Sequence, residues 1–173
     1  MKIILSNKLS DLKTLLLIRH AKSDWNDTSL SDFDRPLNER GKRDAPLMAQ
    51  RLLDKKIRID LFVSSPAKRA KKTATIFAEA YGLDKKQVEF HDELYLAHEK
   101  VFSAVISKLN NNADAVAVFA HNPGITDFAN SLTNTRIDDM PTCCIFAVQA
   151  ACNSWNEFAT AKKTFLFVDY PKA

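Results

Sequence analysis

Two uninterrupted apolar runs constrain this chain more than any other feature, because each stops at a histidine. Thr14 to His20 reads TLLLIRH, and Ala115 to Ala120 reads AVAVFA with His121 directly after it. A strand with one wet face would alternate polar and apolar residues. A run that is apolar throughout suits a strand covered on both faces, as in a parallel sheet flanked by helices. In open sheets of that kind, ligands bind outside the carboxyl ends of the strands. Both histidines are therefore expected at the end of the sheet where a site would form.

The segments between and after these runs carry the matching signals. Asn38 is a fair N-cap, and Ala45, Met48, Ala49 and Leu52 follow at helical spacing. Asp60–Ser64 reads as a short strand. Ser65–Pro66 is a helix start, with serine at N-cap and proline at N1, and Gly82 is the matching stop. Ala70, Ala74, Phe77, Ala78 and Tyr81 make one apolar stripe between them. Val88–His91 reads as an edge strand, and Val101, Phe102, Val105, Ile106 and Leu109 mark a third helix. Asn122–Pro123 repeats the cap-plus-proline signal before Ile125, Phe128, Ala129 and Leu132. Ile145–Gln149 and Thr164–Asp169 read as closing strands. Strands alternating with helices predict a three-layer α/β sandwich with a mostly parallel central sheet. At 173 residues the chain is expected to form one domain, 1–173, with 1–12 an irregular N-terminal extension.

The helix after Ser65 separates one cation from its neighbours. Residues turn by about 100° per position on a helix. With Ala70 at the centre of the buried face, Lys68 and Lys72 point to solvent, while Arg69 lies on the border in the first turn. Arg19, His20, Arg69 and His121 can then converge on one crevice. Two guanidinium forks and two imidazoles make an anion site. The helix expected to start at Asn122 would add backbone donors and the positive end of its dipole.

Other chemistries fit less well. Three glycines leave no glycine-rich phosphate loop. Cys143, Cys144 and Cys152 have no C-x-x-C spacing and read as reduced, semi-buried thiols. The histidines lack the extra ligands that zinc would need, so neither metal nor cofactor is expected. There is no G-x-S-x-G elbow. The basic cluster Lys68, Arg69, Lys71, Lys72 has no interleaved aromatics, so it reads as a solvated helix face and not a nucleic-acid surface. The N-terminal apolar run is too short for a signal peptide or a membrane span, which places the expected protein in the cytoplasm.

These residues resemble the motifs of a known family. Arg19-His20-Ala21-Lys22-Ser23-Asp24-Trp25-Asn26 is similar to the opening motif of the histidine phosphatase superfamily, in its phosphoglycerate-mutase-like branch. Val63–Ala70 with Thr73 resembles its second motif, and Ala120–Gly124 its third. Asp34–Gly41 resembles a stretch of the SixA subgroup of phosphohistidine phosphatases. The resemblance implies His20 as a nucleophile that becomes phosphorylated, with Arg19, Arg69 and His121 completing the phosphate pocket. It implies Asn26 and Ser23 as further substrate contacts, beside Asn122 from the helix reading. The family's usual glutamate proton donor falls near Leu96 or Ala97, which cannot donate; Glu93 and His98 are near but off register. Roles for Lys22, Asp34 and Arg35 stay open.

A missing acid has a chemical meaning. An alkoxide leaving group needs a proton, whereas imidazole, with a pKa of about 6.5, leaves readily near neutral pH. Only 51 residues lie between Arg69 and His121, too few to add a large lid. The expected substrate is therefore a protein phosphohistidine. A small phosphorylated metabolite hydrolysed by a broad phosphomonoesterase is the alternative, and a phosphoprotein-binding module without turnover is the third reading.

Overall fold

The computed structural model describes residues 12–172, so the expected extension lies outside the described residues except for Leu12. Six strands form one sheet: β1 (Lys13–Arg19), β2 (Leu61–Ser64), β3 (Val88–Phe90), β4 (Ala115–Ala120), β5 (Ile145–Ala150) and β6 (Lys163–Asp169). Their order is β3-β2-β4-β1-β5-β6. The β3-β2, β2-β4 and β4-β1 pairs are parallel; β5 runs against both β1 and β6. The sheet is thus mostly parallel with one reversed strand, as the pattern predicted.

Helices cover both faces. Alternate residues of β1 divide between two cores, which is why the strand is apolar throughout. Leu16 and Ile18 pack with Ala45, Met48, Ala49 and Leu52 of α1 (Glu39–Asp54) and with Ala74, Phe77 and Ala78 of α2 (Lys68–Ala80). Leu15 and Leu17 pack with Phe102, Val105 and Ile106 of α3 (Glu99–Ile106) and with Ile125, Phe128 and Ala129 of α4 (Gly124–Leu132). The apolar stripes read from spacing are the buried faces.

Helix ends follow the expectations unevenly. Asn38 caps α1, its side chain accepting from the Gly41 N–H. After α2, Gly82 takes φ +77°; its N–H reaches the Glu79 carbonyl while the Leu83 N–H reaches that of Ala78. That pair of bonds is a Schellman motif, which favours glycine at this position. The two starts marked by proline differ from expectation. α2 begins at Lys68 behind Ala67, and the Ser65 hydroxyl, which accepts the Ala67 N–H at 3.3 Å just before the helix, also faces a histidine ring. α4 begins at Gly124 with no side-chain cap, because the Asn122 side chain is bonded to Thr126, Asp139 and Met140. The three cysteines are free and buried, not semi-buried.

Gly124 sets how closely α4 meets the loop before α3. A Cβ there would lie 1.7 Å from the Ala97 carbonyl oxygen and 2.9 Å from its carbon. Both atoms are backbone, so relief requires moving the loop that carries Tyr95 and Leu96. Gly124→Ala is expected to destabilise the fold by about 1–3 kcal/mol, the scale of overpacking, measured as a lower denaturation midpoint.

Candidate active site

Strand register brings the two histidines together. Arg19 and Ala120 are partners in the parallel β1–β4 pair, so the next residues, His20 and His121, leave the sheet side by side. Their ring centroids are 5.1 Å apart. Ser65, following the neighbouring β2, places its Oγ 2.8 Å from His121 Nε2. The first turn of α2 brings Arg69 over His20, with guanidinium Nε 3.1 Å from ring Nε2. Thr73 locks this arrangement: its hydroxyl donates to the Arg69 carbonyl at 2.7 Å and accepts the Ala21 N–H at 3.0 Å. One side chain ties the helix bearing the arginine to the strand end bearing the histidine.

Hydrogen bonding settles the tautomer of His20. Its Nδ1 lies 2.8 Å from the Ala21 carbonyl, which only accepts, and its Nε2 meets Arg69, which only donates. The hydrogen is therefore on Nδ1 and the lone pair on Nε2. Burial pushes the pKa of His20 down to about 3, with the positive charges of Arg69, Arg19 and Arg35 adding to it and the Ala21 carbonyl opposing. His121 is also lowered to about 3, by burial first and then by His20 and Arg69. Both rings are neutral near pH 7.

The pocket lacks partners in one respect. Among the described residues, the buried side-chain nitrogens or oxygens without a hydrogen-bond partner are Arg19 Nε and His121 Nδ1. Both residues line the same open cavity of about 400 Å³, together with His20, Ser23, Arg35, Arg69 and Asn122. Native proteins rarely leave buried polar groups unpaired unless a ligand or water completes them. A tetrahedral oxyanion would satisfy both, once the Ser65 hydroxyl donates to His121 Nε2 and leaves the hydrogen on Nδ1. No group of three or more His, Cys, Asp or Glu side chains is placed to hold a metal among the described residues.

The remaining expected contacts divide. Ser23 is buried at the pocket, its hydroxyl accepting from Arg35 at 2.8 Å. Asn122 lines the cavity but spends its amide on Asp139 and Met140, so it braces the wall. Asn26 is exposed and outside the lining, because the loop folds on its own Asx contacts, Asp24 to the Asn26 N–H and Asp27 to the Ser29 N–H. Glu93 and His98 line a different cavity with His91 and Val101. Lys22 and Arg35 face the pocket, whereas Asp34 is exposed and pairs with Ser31. Sequence reasoning missed Asp32, Tyr95 and the role of Ser65. Ser65 follows a strand running beside β4, but its helix-start reading concealed this. Nothing local marks Asp32 or Tyr95.

Residues 15–98 match the sequence model of the histidine phosphatase superfamily (branch 1). An uncharacterized chloroplastic protein of Arabidopsis thaliana is 32% identical over 153 residues, covering 84% of this chain and 70% of that protein. The chain belongs to the histidine phosphatase superfamily. Like other phosphatases of this superfamily, it is an enzyme. Phosphoserine phosphatase 1 of Hydrogenobacter thermophilus is 43% identical over 72 residues, 40% of this chain and 33% of that protein. In structure, this histidine phosphatase resembles the protein histidine phosphatase SixA solved with tungstate: TM-score 0.77, 25% identity, 92% of this chain and 97% of the other. A phosphoglycerate mutase from Bacillus anthracis shares the fold, with TM-score 0.70, 17% identity, and 95% and 96% coverage. No helix among the described residues is long and apolar enough to cross a membrane.

The lowered histidines link stability to pH. An unfolded chain takes up protons at a histidine pKa of about 6.5, well before the folded rings do. Stability from these two groups is complete above that pH and is lost as pH falls from there toward about 3. Titration by NMR is expected to show both rings neutral down to about pH 4, with the denaturation midpoint falling over the same acid range.

Proposed function

We propose that this phosphatase hydrolyses protein phosphohistidine through a phosphorylated His20. The observation that carries the reading is the tautomer of His20, whose Nε2 lone pair accepts from Arg69 Nε at the wall of a pocket that Arg19 and His121 also line, each with a buried nitrogen that lacks a partner.

In the first step His20 Nε2 attacks phosphorus in line. The phosphorus–nitrogen bond of the substrate breaks, and its electron pair stays as the lone pair of the departing imidazole, which leaves neutral because its other ring nitrogen already carries a hydrogen. Arg19, Arg69 and His121 hold the equatorial oxygens, and such fixed donors supply most of the acceleration in phosphoryl transfer. Because Nδ1 keeps its hydrogen on the Ala21 carbonyl, phosphorylated His20 is cationic and a good leaving group. In the second step water attacks the phosphorus, the bond to Nε2 breaks, and inorganic phosphate departs.

The substrate class follows from what surrounds this centre. Glu93 and His98 open onto another cavity, and Asp32, which lines the pocket, is ionised by its donors. An alkoxide would leave without acid assistance, forgoing roughly 10²–10⁴-fold, whereas imidazole needs little help. The open mouth leaves room for a side chain presented by a protein. The partial similarity to a phosphoserine phosphatase makes phosphoserine the competing substrate to measure.

His20→Ala is expected to abolish turnover and the phosphoenzyme seen after rapid quench. Arg69→Ala should lower kcat/KM by about 10²-fold or more, the scale of one lost transition-state donor. Lys68→Ala should change it little, since Lys68 is exposed while Arg69 is 3% exposed. The panel to run compares phosphohistidine, phosphoserine and phosphotyrosine peptides with sugar phosphates. Preference for an ester over the phosphohistidine peptide would overturn the substrate assignment.

A further inference from the structure

Asp32 gathers more donors than a surface carboxylate needs. It lies in the loop between β1 and α1, with a side chain 45% exposed. Oδ1 accepts from Arg35 at 2.7 and 3.1 Å; Oδ2 accepts from Arg69 at 2.9 Å and from the Tyr95 hydroxyl at 2.8 Å. The Asp32 backbone carbonyl takes the third nitrogen of Arg69. Every nitrogen of that guanidinium is thus engaged, by Asp32 or by His20. Although burial acts to raise its pKa, the bonds from Tyr95, Arg35 and Arg69 hold the carboxyl well below its usual range.

The contrast inside one pocket is informative. On the Arg19–His121 side, donors are left open. On the Arg35–Arg69 side, the donors already hold an anion. A carboxylate presents to arginine the same pair of oxygens that a phosphoryl group does. It also repels a second anion placed beside it. Arg35 and Arg69 are buried, so a counter-anion there offsets the cost of burying their charge; a bound phosphoryl group would meet that need as well as the Asp32 carboxylate does.

We propose that Asp32 is a built-in competitor for the phosphoryl site, displaced from Arg35 and Arg69 by bound substrate and re-pairing with them to weaken the hold on inorganic phosphate after hydrolysis. It is then a specificity-determining residue for the reaction proposed above, on which this inference rests. No bond is made or broken in this step; one anion exchanges for another on two guanidinium groups. A pocket rich enough in positive charge to orient a phosphoryl group would otherwise retain the product.

The test measures inorganic phosphate binding by calorimetry, and product inhibition by phosphate, in the wild type, Asp32→Asn and Asp32→Ala. Denaturation curves check that each protein is folded. Both variants are expected to bind phosphate at least fivefold more tightly, with product inhibition strengthened to match. Tyr95→Phe, which keeps the carboxylate but removes one of its donors, should shift affinity the same way by less. A smaller gain, no change, or weaker binding in the Asp32 variants would overturn the proposal and make Asp32 a positioning residue for Arg69. Binding is read without turnover, so the two readings fail separately. A wild type inactive on every phosphorylated substrate would sink the reaction, while tighter phosphate binding by the variants would still mark Asp32 as the competing anion.

Discussion

The alignment of two parallel strands at their carboxyl ends underlies everything else in this molecule. Because Arg19 of β1 is the partner of Ala120 of β4, the following residues emerge together with their rings in contact range. A one-residue slip would send one ring to the opposite face of the sheet, since side chains alternate along a strand. The register is secured by the cores on both sides: Leu15 and Leu17 belong to one, Leu16 and Ile18 to the other. Burial of ordinary aliphatic side chains thereby sets where the two histidines stand.

The electrostatics of the pocket follow from that burial. Burial first, and then the positive charges of Arg69 and Arg19, keep both imidazoles neutral, so His20 keeps its Nε2 lone pair without an adjacent base. The same shielding would make several guanidinium groups costly if all were unpaired. Asp139 meets Arg19, and Asp32 meets Arg35 and Arg69, so carboxylates at the rim balance the cations at the floor. Among the described residues, Arg19 Nε and His121 Nδ1 are the buried side-chain nitrogens left without a partner.

The supporting contacts come from segments with no chemistry of their own. Thr73 joins the Arg69 carbonyl to the Ala21 amide, and Gly124 lets α4 close on the Ala97 carbonyl. The Cys143 N–H donates to the carbonyls of Arg19 and His20 at 3.1 Å, fixing the strand end from its other side. Trp25 lies 3.5 Å over the Arg35 guanidinium and helps hold that cation in place.

Much of this was legible in the chain itself. Periodicity located every helix face, unbroken apolar runs identified the doubly covered strands, and the turn of α2 separated Arg69 from Lys68, because these features depend only on neighbours a few residues apart. Where one side chain had two possible partners, the local reading was incomplete: Ser65 accepts the Ala67 N–H as a helix-start serine would but also meets His121, and Asn122 serves the Asp139 loop. Asn26, assigned by motif position, faces solvent because its loop satisfies itself through Asx turns. The sequence by itself determined the layers, the strand ends and the histidines at them. Only the tertiary structure decided the tautomer of His20, the neutrality of both rings and the capture of two arginines by Asp32. Those depend on Arg69 reaching His20 and Asp32 from a distant segment and on the water that burial removes.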